Sequence, residues 1–96
     1  MIDISNFIDI TLTKLKSLEI GEGISLLTFK KDRKITIIKN NNCFSLYEEG
    51  FSKERFFNLN NKDLKKLLKT LGRKEFPRSN KLHLEVVDKN YHSKLT

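Results

Sequence analysis

Tryptophan is absent from this chain, and cysteine and proline each occur once. A lone Cys43 can close no internal disulfide and offers no paired thiol to a metal, so a reducing, intracellular setting is expected. One proline and four glycines leave no stretch that reads as a low-complexity linker. With no internal repeat either, residues 1–88 read as a single domain and residues 89–96 as a polar tail. No apolar run approaches the roughly 20 residues a membrane span requires. The start, Met1-Ile2-Asp3-Ile4-Ser5, lacks the basic and apolar stretches of a secretory leader. A cytoplasmic protein with no membrane partner is the expectation.

What the chain does have is apolar residues enough for a core and an uneven charge. Hydrophobic residues make up 38%, seven of them Phe, which separates the sequence from disordered chains. Residues 1–50 hold seven Lys and Arg against seven Asp and Glu, whereas residues 51–96 hold twelve against five, so the second half carries the entire net charge of +7. A general enrichment in lysine would raise both halves together. The asymmetry points instead to one basic face.

Periodicity supplies the elements. Ile4, Phe7, Ile8, Leu12, Leu15 and Leu18 follow helical spacing over residues 3–19, with Asp3 or Ser5 as the cap and an end near Gly21 and Gly23. The alternation Ile8-Asp9-Ile10-Thr11-Leu12-Thr13 supports a strand there, but the helical template explains more apolar positions. Strands are expected at 24–30 and 34–39, joined by a tight hairpin at Lys31-Asp32-Arg33, then at 43–49 and 54–59. In the last of these Arg55, Phe57 and Leu59 share a face. Leu64, Leu67, Leu68 and Leu71 mark a second helix over 61–71, with Asn60 as N-cap and Gly72 as terminator. Residues 81–87 alternate as a final strand.

The order is α-β-β-β-β-α-β. Such an α+β two-layer domain has an antiparallel meander sheet of four to five strands and two helices on one face. This order resembles two groups of small nucleic-acid binders: the Pur- and Whirly-type single-strand binders, and the helix–three-strand–helix proteins that bind the Alu region of signal-recognition-particle RNA. The first helix departs from the former group and the additional strands from the latter, and no motif residue carries over from either.

At 100° per residue, Lys62, Lys65, Lys66, Lys69 and Arg73 fall within about 60° of one line on the second helix, opposite its leucines. Lys62–Lys66, Lys65–Lys69 and Lys69–Arg73 are like-charged i, i+4 pairs, which repel by a few tenths of a kcal/mol each, about what a favourable pair would contribute. A face that only confers solubility mixes charge signs; a face that meets phosphates does not need to. The next stretch adds Lys74, Arg78, Ser79, Asn80 and Lys81 on a proline-stiffened loop anchored by Phe76. Arg supplies paired donors for phosphate, and Ser and Asn supply neutral ones. The plain alternative is that Phe76 fills the core and the polar residues turn the chain.

No arrangement of residues indicates catalysis. His83 and His92 lack zinc-site spacing, Cys43 reads as a small buried hydrophobe, and Gly21-Glu22-Gly23 lacks the third glycine of a dinucleotide loop. The expectation is a non-enzymatic module with no cofactor or metal, binding nucleic acid, RNA ahead of DNA, through residues 62–81. Other partners compatible with the same charges are an acidic protein or a ribonucleoprotein surface. The alternative is an assembly subunit, such as a homodimer formed through an edge strand.

Overall fold

The computed structural model describes residues 1–89. They form β1 (Ile2–Asp3), a 3-10 turn (Ile4–Asn6), α1 (Phe7–Ser17), β2 (Gly23–Leu27), β3 (Lys34–Lys39), β4 (Phe44–Glu49), β5 (Lys53–Leu59), α2 (Asn61–Glu75) and β6 (Lys81–Val87). The sheet has six strands in the order β1-β6-β2-β3-β4-β5, with every pairing antiparallel. This is the α+β architecture that the sequence implies, with two helices packed on a sheet. The tail expected at 89–96, from residue 90 onward, and His92 with it lie outside the described residues.

The core forms where both leucine stripes meet one face of the sheet. Leu64, Leu68 and Leu71 of α2 and Phe7 and Leu15 of α1 pack on Ile24, Leu26, Ile35, Ile37, Leu46 and Leu82. Phe76, at the end of α2, completes this cluster edge-on to Phe7, with ring centroids 6.1 Å apart at 89°. On the opposite face a smaller cluster joins Ile38, Tyr47 and Val87, and the hydroxyls of Ser25 and Thr36 bond at 2.9 Å.

The two ends of β3 hold the two helices. Lys39 Nζ donates to the carbonyls of Leu18 (2.8 Å) and Lys16 (3.3 Å), where α1 ends. Arg33, one residue before β3, donates to the carbonyls of Lys74 (3.4 Å) and Glu75 (3.3 Å), where α2 ends. Helix C-termini leave carbonyls without partners and carry partial negative charge, so a cation there satisfies both needs.

Several sequence expectations are corrected. The first helix starts later and ends earlier than 3–19, and its N-cap is Asn6, which makes no side-chain cap, and not Asp3 or Ser5. Residues 2–3 are drawn instead into a strand beside β6, and the amide of Ile4 donates to the Asn80 carbonyl at 2.9 Å. A two-residue strand held by tertiary pairing leaves no periodic signal.

The second helix passes Gly72 and ends at Glu75. Gly72 is required for packing, since a Cβ there would stand 2.9 Å from Phe7 Cζ. Leu59 leaves the face of Arg55 and Phe57 for the core face, because a bulge at Asn58 (φ 58°) inserts one residue between the Leu46–Phe56 and Phe44–Leu59 pairs.

The tight hairpin at 31–33 is also wider than expected. Thr28 and Arg33 close the turn by backbone bonding at 3.1 Å, Thr28 Oγ1 donates to Asp32 Oδ1 at 2.6 Å, and Lys31 is left-handed at φ 59°. Phe29 and Lys30 therefore lie in a loop and not in a strand. Cys43 precedes β4 and is half-buried, not a core residue.

β6 is an interior strand by order, yet β1 covers its outer edge only at Lys81 and Leu82. Among the described residues, His83–Val87 have no strand on that side.

Leu68 is fully buried between α2 and the sheet. Leu68→Ala is expected to cost about 2–5 kcal/mol through lost transfer energy and an unfilled cavity. Urea unfolding should register this as a lower midpoint with an unchanged slope.

Candidate nucleic-acid interface

α2 builds the first half of the site. Asn60 Oδ1 accepts the Asp63 amide at 2.7 Å and sets the helix start. The leucine stripe then turns Lys62, Lys65, Lys66, Lys69 and Arg73 away from the sheet, and all five are exposed. None makes an ion pair among the described residues. From Lys62 to Arg73 the row covers about 16 Å of helix axis.

The residues that follow separate into different roles. Lys74 stays exposed but is paired, its Nζ 3.1 Å from Oε2 of the fully buried Glu48. Lys81 lies on β6 and pairs with Asp3 at 3.9 Å. The Asn80 carbonyl ties down Ile4, and the Ser79 amide donates to the Phe76 carbonyl at 3.2 Å. Arg78 stays exposed without an ion pair among the described residues. The structure thus brings the helix row together and leaves Arg78 at its far end. Lys74 and Lys81 have acidic partners.

Lys74, Arg78 and Ser79 line a cleft of about 660 Å³ against the 28–33 turn and Phe51. Here the charge-balanced first half contributes Phe29, Lys30 and Arg33, and Phe51 joins them from the turn after β4. The signal available for them was Lys30-Lys31-Asp32-Arg33, a turn with three cations to one acid. A larger hollow of about 780 Å³ lies against Asn40–Asn42 and Cys43. Its cations, Lys39 and Lys89, are occupied by the α1 carbonyls and by Glu19 at 2.7 Å, so it offers little to an anion.

Two buried carboxylates meet here, Glu75 in the lining of the cleft and Glu48, which pairs with Lys74. Glu75 Oε1 accepts the Phe51 amide at 2.8 Å and Oε2 the Ser52 amide at 3.5 Å, and Arg33 Nε stands 3.9 Å away. Burial opposes the charge on Glu75, but hydrogen bonding with Glu48, those two amides and Arg33 together hold its pKa below the ordinary value. Glu48 goes the other way: burial first, then hydrogen bonding with Glu75, raises it. Lys74 Nζ, 3.1 Å from Oε2, opposes that rise without reversing it. The two carboxyls titrate as a linked pair, with Glu48 pushed up and Glu75 held down. Gly50 makes room for this arrangement, because a Cβ there would stand 2.5 Å from Glu75 Oε1.

Among the described residues no three of His, Cys, Asp and Glu are grouped to hold a metal ion, and no helix is long and apolar enough to cross a membrane. Comparison with protein-family models, curated proteins and solved structures finds no match to this chain.

The carboxylate pair sets a pH response. With its pKa lowered, Glu75 stabilises the fold above the ordinary carboxylate pKa of about 4.3, and this is lost as pH falls through its folded value. With its pKa raised, Glu48 stabilises the fold most at low pH, and this is lost as pH rises through its folded value. Glu75→Gln should therefore cost more stability at neutral pH than Glu48→Gln, by about 1–3 kcal/mol, and melt lower, because it sacrifices amide and guanidinium partners. Thermal melts from about pH 5 to 8 should also show Glu48→Gln losing less stability than the parent as pH rises.

Proposed function

We propose that this protein is a non-enzymatic nucleic-acid-binding module that grips phosphates with the outer face of α2. The observation that carries the reading is the row Lys62, Lys65, Lys66, Lys69 and Arg73, all exposed and none in an ion pair among the described residues. Like charges spaced one helical turn apart repel each other, and phosphates relieve that repulsion while releasing counterions to solvent. Phosphate contacts of this kind position a strand without reading its bases, so the binding is expected to be broad in sequence.

Fluorescence anisotropy with labelled single- and double-stranded RNA and DNA tests this. Affinity should fall steeply between low and physiological salt. Replacing Lys65, Lys66 and Lys69 with Gln should reduce the log–log salt slope by about two to three. Absence of binding to all four at low salt would overturn the proposal.

A second reading, assembly of two copies through a sheet edge, is favoured by the outer side of β6 at His83–Val87, which no strand covers among the described residues and where Val86 is exposed. It requires light scattering to give twice the mass of one chain.

A further inference from the structure

We infer that the cleft beyond α2 takes unpaired bases of a single-stranded nucleic acid. This inference rests on the proposed function and narrows it from any phosphate polymer to an open strand.

The cleft is rimmed by two phenylalanines that the fold leaves in solvent: Phe29 is 72% exposed and Phe51 73%. Phe7 and Phe76, in contrast, are buried in the core. One exposed ring needs no explanation, but two on one concave surface mark a contact site. Each ring is backed by a planar group. Phe29 lies nearly parallel to His83, with centroids 6.0 Å apart at 22°. The Arg33 guanidinium sits 5.9 Å from the Phe51 centroid and is itself held by the α2 carbonyls. Aromatic rings held in this way lose little freedom when a flat partner stacks on them.

The charges in the cleft suit phosphates. Lys30 and Arg78 line it without an ion pair among the described residues. Asp32 and Glu75 keep their negative charge there, but four cations in the lining, Lys30, Arg33, Lys74 and Arg78, outnumber them by two. Rings for bases beside free cations for phosphates is the combination that open strands require. Bases inside a duplex are already stacked, so a duplex engages the helix row alone. An acidic peptide would satisfy the cations and leave both rings unused.

The test compares the parent with a Phe29→Ala/Phe51→Ala variant against labelled oligo-dT, oligo-U, a DNA duplex of equal length and a poly-glutamate peptide, all at low salt. Single-strand affinity should fall about ten-fold per ring, with duplex affinity unchanged. A Phe29→Tyr/Phe51→Tyr variant, which keeps both rings, should retain single-strand affinity; its loss would overturn the inference. Unchanged single-strand affinity in the alanine variant overturns the cleft assignment and leaves the helix reading standing. An equal loss on poly-glutamate, or on the duplex, also overturns it. A parent that binds none of the nucleic acids overturns both readings.

Discussion

The buried carboxylate of Glu75 joins three parts of the molecule that are distant in sequence. It belongs to the last turn of α2, accepts two amides from the β4–β5 turn and faces Arg33 at the start of β3. A buried charge persists only where partners replace its lost hydration, and here the backbone, a guanidinium and a neighbouring carboxyl do so together. The end of α2 is thereby pinned over the sheet, and with it the direction of the lysine row and the mouth of the cleft. Gly50 has no side chain because that carboxylate occupies the space.

This arrangement explains why β3 governs the layout. Its flanking cations, Arg33 and Lys39, each cap a helix C-terminus, so the helices are located by polar contacts at their ends as well as by leucine packing along their length. Packing alone allows a helix to slide or rotate by small amounts. A charged hydrogen bond at one end restricts that freedom and fixes which residues face solvent.

Much of the fold was legible before the structure. The leucine spacing of α2, the Asn60 cap and the strand-like runs of β3, β4 and β6 are local signals that the structure then uses. The misreadings have two causes, contacts from far along the chain and local turn or bulge geometry that carries no period. β1 exists because β6 lies beside it, Gly72 sits within a helix because Phe7 needs its bare surface, and Leu59 reaches the core because Asn58 accepts a left-handed bulge. The site divides in the same way. The row from Lys62 to Arg73 follows from helical geometry alone, whereas the pairing of Lys74 depends on Glu48, twenty-six residues earlier.

The basic second half and its amphipathic helix were determined by the sequence itself, since charge count and a 3.6-residue period are local properties. Only the tertiary structure decided that the supposedly neutral first half contributes to the same end of the molecule. The wide 28–33 turn lifts Phe29 and Lys30 out of the sheet, and the Glu75 contacts draw Phe51 and Arg33 alongside Arg78. Such a meeting of turns has no sequence period, because it follows from strand order and from the cost of leaving a buried carboxylate without partners.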